Sequence, residues 1–140
     1  MVSAAKLRRA QDAITQMRPY ANKLQDMLSN IVGSLEGDIN LALAETRPVN
    51  NVLLIVITSD RGLCGGYNAN VVKLAKATIS DKYPTQKITI WNIGKKGYES
   101  LSKSGYDTNA EYKDIFLDLK FENVQVAAKA AMNAFANKEF

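Results

Sequence analysis

Residues 52–68 read VLLIVITSDRGLCGGYN. The first seven are an unbroken apolar, β-branched run, the pattern of a parallel strand covered on both faces. Three glycines (Gly62, Gly65 and Gly66) and the single cysteine of the chain, Cys64, follow at once. Glycines behind a strand mark a place where the backbone turns tightly or comes close to something else.

Working outward, NANVVKLAKATIS (68–80) carries Val71, Val72, Ala75 and Ile79 at helical spacing. KITIWNI (87–93) reads as a second strand and KKGYESLSKS (95–104) as a short helix. EYKDIF (111–116) reads as a weaker third strand, and alanine-rich ENVQVAAKAAMNAF (122–135) as a helix of high intrinsic propensity. Strands alternating with helices predict right-handed βαβ units on a parallel sheet. The expected fold class is therefore α/β, a small Rossmann-like layer over residues 52–140.

The amino-terminal part obeys a different period. Leu7, Ala10, Ile14, Met17, Ala21, Leu24, Leu28, Ile31 and Leu35 are spaced three and four apart without a miss. That is a heptad seam, the mark of a left-handed coiled coil, and it would run roughly 43 Å as helix. The competing reading is a core helix of a globular layer, which would be shorter and carry a broader apolar face. Pro19 falls inside the row and removes one helical hydrogen bond; because the register persists through it, one bent helix is expected rather than two. Gly33 and Gly37 mark its fraying end. The expected organisation is a shaft helix over 1–45, a linker at 46–51 and the α/β domain at 52–140. The seam meets no second long helix in the sequence, so its partner is expected from elsewhere.

Charge sharpens this division. Of 18 basic and 14 acidic residues, Lys6, Arg8, Arg9, Arg18 and Lys23 stand in positions 1–24 against Asp12 alone, and the remainder balances. An acidic partner for the first segment follows, whether nucleic acid, anionic lipid or protein. No apolar run approaches the roughly 18–20 residues that span a bilayer. The start, MVSAAKLRRAQDA, lacks the apolar core of a secretory signal. One cysteine and no histidine remove an intrachain disulfide, a cysteine zinc cluster and the commonest general base.

Three readings of the glycine loop stand side by side: a turn that lets strand and helix pack closely, a protein contact, and a nucleotide-binding nest. The third is weak in pattern. The spacing is G-x-x-G-G rather than G-x-G-x-x-G, no acid ends the second strand, and no G-x-x-x-x-G-K-[ST] string occurs. Cys64 at a helix start has the setting of a nucleophile but no histidine to act as its base. Asp60 and Arg61 are placed to pair across the turn. GKKG (94–97) suits either a phosphate or two solvated lysines. Lys6, Arg8 and Arg9, flanking Leu7, suit a solvated helix face or a zipper-type DNA-binding region, although such regions are denser in arginine.

MVSAAKLRRAQ, RPYA, IGKKG and above all SDRGLCGGYN resemble the γ subunits of F-type ATP synthases, the central rotor shafts of those enzymes. The resemblance runs along the whole chain and implies a piece of a longer subunit, without its second shaft helix. It implies a non-catalytic, mechanical role, coupling proton translocation to ATP synthesis or hydrolysis on surrounding α and β subunits. The implied partners are α, β, the ε subunit and the c-ring, with no nucleic acid and no direct membrane insertion. The implied location is peripheral, on the cytoplasmic face of the bacterial inner membrane, with no cofactor or metal of its own. Lys6, Arg8, Arg9, Asp60, Arg61 and Cys64 would face an acidic lever segment of β. The chief alternative is a stand-alone nucleotide-binding α/β domain that dimerises through its coiled coil. The bare seam also predicts that the chain alone self-associates.

Overall fold

The computed structural model describes residues 2–34 and 42–140. The chain divides into two compact units, Met1–Ala44 and Glu45–Phe140.

The first unit is helix α1, Val2–Ser34, with Pro19 inside it. The helix continues through the proline as one element, and its surface is exposed along its described length. The Thr15 carbonyl, deprived of its usual donor four residues on, can therefore turn to water, which limits the cost of a residue that interrupts buried helices. Leu7, Ile14, Met17, Leu24, Leu28 and Ile31 of the heptad row are 41–63% exposed. Ala10 and Ala21 are exposed as well, while Leu35 and Gly37 lie outside the described residues. Tyr20 and Met27, beside the row and one heptad apart, are 64% and 50% exposed, so the apolar face is wider than the seam alone. A lone helix has no layer in which to bury such a face, and apolar residues at this density are uncommon on a surface without a partner.

The second unit is a three-stranded parallel sheet in the order β1-β2-β3. β1 spans Asn51–Ile57 and β2 Lys87–Ile93. They pair in register from Asn51–Lys87 to Ile57–Ile93. Helix α2, Tyr67–Ala77, joins them and ends in a wider turn, Thr78–Lys82, just before Tyr83 and Pro84; a residue preceding proline is driven out of helical geometry. Helix α3, Lys95–Ser102, leads to β3, Thr108–Asn109. Helix α4 occupies Phe121–Ala136.

Val56 and Ile90 pack with Val72 and Ala75 of α2 and Leu101 of α3 to form the core. Both helices thus cover one face. Successive right-handed crossovers to the next strand in line always place their helices on the same side. The opposite face keeps Ile55 and Ile57 at 43% and 50% exposure. The expectation that 52–58 is covered on both faces is therefore corrected: composition marks a buried strand, but this strand order supplies helices to one side only. On the open side Trp91 has Tyr112 at 5.0 Å and Phe140 at 6.5 Å between ring centres.

The third strand is also not where it was expected. EYKDIF does not extend; residues 111–114 turn, and Ile115–Asp118 form a single tight helical turn. The strand is the pair Thr108–Asn109, aligned with Ile90 and Trp91. Asn109 ends it by accepting the Glu111 N–H on Oδ1 at 2.6 Å, a side-chain mimic of a backbone turn. Tyr112 is buried against Trp91 and serves the core from a turn.

Candidate functional site

The loop Ser59–Gly66 leaves the carboxyl end of β1, where ligands of parallel α/β sheets gather. Asn68, in the first turn of α2, organises it. Its Oδ1 accepts the Ser59 N–H at 3.0 Å. Its Nδ2 donates to Ser59 Oγ at 2.9 Å and lies 3.1 Å from Cys64 Sγ. Ser59 Oγ also donates to the Arg61 carbonyl at 2.5 Å. Tyr67 ties the helix start back to β1, its hydroxyl donating to the Ile57 carbonyl at 3.0 Å. Cys64 is half-buried within this network. Its neighbours are a hydroxyl and an amide, which supply neither a base nor a cation to activate a thiol.

Two further bonds tie the end of β1 to the turn after β2. Asp60 Oδ1 accepts the Lys95 N–H at 3.1 Å, and Thr58 Oγ1 accepts the Gly97 N–H at 2.7 Å. The Ser59 carbonyl takes the Lys96 N–H, and the Lys113 carbonyl takes that of Gly94. All four amides of GKKG are thus engaged by the protein, whereas a phosphate at a helix start requires them free. The lysines point elsewhere: Lys95 Nζ is 3.2 Å from Asp114, and Lys96 Nζ is 2.7 Å from Glu99. The Lys96 hydrogen bond holds the Glu99 carboxyl below its usual range. The expected Asp60–Arg61 pair is not formed; Asp60 caps α3 instead, and Arg61 has no ion pair among the described residues.

The close approach inferred for the loop glycines falls on other glycines. A Cβ on Gly62 or Gly65 would meet nothing within 4 Å, and one on Gly66 only the Asn70 side chain. A Cβ on Gly94 would lie 2.0 Å from the Thr58 carbonyl oxygen, and one on Gly97 2.9 Å from Thr58 Oγ1. Strand and helix meet at GKKG, while Gly65, at φ 59°, serves the turn itself.

The sequence-predicted contact residues fall into two groups. Lys6, Arg8 and Arg9 are exposed on α1. Asp60, Arg61 and Cys64 share the loop, with only Arg61 fully turned to solvent chemistry. Sequence reasoning missed Thr58, Ser59 and Asn68, which build the loop, and Leu63, which tops it at φ 60°. A hydrophilic residue just inside a helix is an ordinary sight, so Asn68 sent no signal.

A cavity of ≈ 730 Å³ lies at the opposite, amino end of β1, between residues 45–53 and α4. Arg47 anchors it: the guanidinium lies 4.0 Å over the Phe135 ring and donates to the Phe135 carbonyl at 2.7 Å and to the Phe140 carbonyl. Beside it, Lys138 Nζ sits 3.1 Å from Glu45. That hydrogen bond, with Arg47 adding to it, lowers the Glu45 carboxyl below its ordinary value. These bonds brace α4 against the segment that precedes β1.

No described helix is long and apolar enough to cross a membrane. A family model described as ATP synthase matches residues 1–140. The chain is 45% identical over 144 residues to an ATP synthase gamma chain of Cytophaga hutchinsonii, covering 100% of this chain and 49% of the relative. It is 46% identical over 140 residues to one of Flavobacterium johnsoniae, covering 100% and 48%. It is 42% identical over 143 residues to one of Chlorobaculum tepidum, covering 99% and 49%. It therefore spans about half the length of these relatives. A glycine loop locked by its own side chains, a long helix with its apolar row bare and identities above 40% along the whole length agree: the chain belongs to the ATP synthase γ-chain family.

Proposed function

We infer that the chain acts within the central-stalk rotor of an F-type ATP synthase, transmitting torque rather than performing chemistry. In this reading proton flow at the c-ring turns the stalk, and the stalk biases the α and β subunits through ATP synthesis or hydrolysis. It also binds the ε subunit and sits peripherally on the cytoplasmic face of the bacterial inner membrane.

The observation that carries the reading is α1. Its heptad row is bare, and the exposed cations Lys6, Arg8 and Arg9 flank that row at one end. The apolar row is suited to a companion rod and the cations to an acidic lever on β; on the loop, exposed Arg61 suits such a lever, whereas Asp60 is taken up by the Lys95 amide and Cys64 by Asn68. Coupling requires contact energies that differ between states of the partner. Exposed charges meet that need without locking a turning shaft, because each screened pair contributes only ~0–1 kcal/mol. Without its companion rod, α1 should drive self-association of the chain.

The test is reversal of Lys6, Arg8 and Arg9 to glutamate in the full-length subunit, assembled with its complex. Torque-coupled ATP hydrolysis should fall several-fold and become less sensitive to salt. Unchanged turnover and salt response would refute the assignment of these residues.

A further inference from the structure

We propose that Leu63 is an anchor side chain, carried by the loop Ser59–Gly66 into an apolar depression with an acidic rim on the catalytic ring, where Arg61 meets the rim. The proposal rests on the γ-subunit reading above.

Leu63 combines two features that seldom occur together. It is fully exposed, at 109% of its reference area. It also holds φ at 60°, a left-handed conformation in which a side-chain-bearing residue is strained and glycine is not. The loop already uses glycine at positions 62, 65 and 66. A glycine at 63 would relieve the backbone and remove an apolar side chain from water. Neither gain has been taken, and strain that folding does not require is a sign of function.

The support beneath Leu63 is rigid. Asn68, Ser59 and Cys64 interlock below the tip, Tyr67 fixes the helix start to β1, and Asp60 fixes the chain to α3. A side chain presented on such a base loses little freedom on docking, so its burial converts efficiently into affinity. Asp60 is turned inward, and the nearby cations Lys95 and Lys96 each have a carboxylate. The outward chemistry of the tip is thus one leucine and one arginine without an ion pair among the described residues. That pairing suits a protein pocket bordered by carboxylates. A membrane surface would call for a larger apolar face, and nucleic acid for a denser set of cations.

The experiment uses the full-length subunit titrated onto an α/β catalytic ring prepared without γ. Leu63→Ala should weaken association by roughly 10-fold or more, the effect of losing one buried leucine. Leu63→Gly should weaken it as much while raising the thermal midpoint of the free subunit by a few degrees, so that stability and binding move in opposite directions. Leu63→Met should bind within about 3-fold of the parent, since shape and polarity are nearly kept. Arg61→Gln should weaken association less and flatten its dependence on salt. Parental affinity for both Leu63→Ala and Leu63→Gly, with the α1 charge reversal still disruptive, overturns the anchor and leaves the γ-subunit reading intact. Failure of the unaltered subunit to bind the ring overturns both. An Arg61→Gln variant with the parental salt slope removes the acidic rim.

Discussion

Replacing Gly94 by alanine tests how the sheet and α3 are joined. The added Cβ would lie 2.0 Å from the Thr58 carbonyl oxygen and 2.9 Å from its Oγ1, far inside van der Waals contact. The residue also sits at φ 100° and ψ 138°, a region open essentially to glycine alone, which costs an alanine about 1–3 kcal/mol. Forcing an atom into a filled site adds about 1–3 kcal/mol. Thr58 cannot yield cheaply, because it is 1% exposed and its Oγ1 holds the Gly97 amide. The expected loss is therefore roughly 2–6 kcal/mol, a large part of the ~5–15 kcal/mol that holds a domain together. Trp91 is the single tryptophan and lies on β2, so its fluorescence during urea unfolding reports the α/β unit separately from α1. Gly62→Ala is the control, with no neighbour within 4 Å and no positive φ, and should stay within about 0.5 kcal/mol of the parent. A Gly94→Ala loss below about 1 kcal/mol, or one equal to that of Gly62→Ala, would refute the reasoning.

Two other outcomes follow from single groups. Asn92 is wholly buried with neither side-chain polar atom hydrogen-bonded among the described residues, so Asn92→Leu, close to it in shape, should stabilise the α/β unit by about 1 kcal/mol in the same assay; a loss of that size would show that the amide has a partner. Glu45 has a folded-state pKa below its unfolded value, so its contribution is present above the unfolded pKa and is lost as pH falls through the folded one. Between about pH 5 and pH 3 the parent should therefore lose stability more steeply than Glu45→Gln, as read by parallel acid titrations of Trp91 fluorescence; parallel curves would exclude the Glu45–Lys138 brace as the cause.

Elements governed by local chemistry were legible in the sequence. KITIWNI is β2 as read, VLLIVIT lies within one residue of β1, and the heptad row is helical through Ser34. Apolar periodicity and β-branching act over a few residues, and a string of letters displays them directly. The same letters show that Lys6, Arg8 and Arg9 concentrate charge at one end, and that Cys64 has no histidine to serve it.

What depends on distant pieces of chain was decided only by the fold. The strand order put α2 and α3 on one face and left Ile55 and Ile57 on the other, which no reading of β1 alone could foresee. Asp60 caps a helix 35 residues away, and Thr58 makes Gly94 and Gly97 obligatory, so the glycines with a packing duty were not those that first drew notice. Leu63 has an unremarkable identity and an unusual backbone angle. Side-chain type is written in the sequence, whereas φ, exposure and the partner of a hydrogen bond arise when segments far apart along the chain are brought together and must fit.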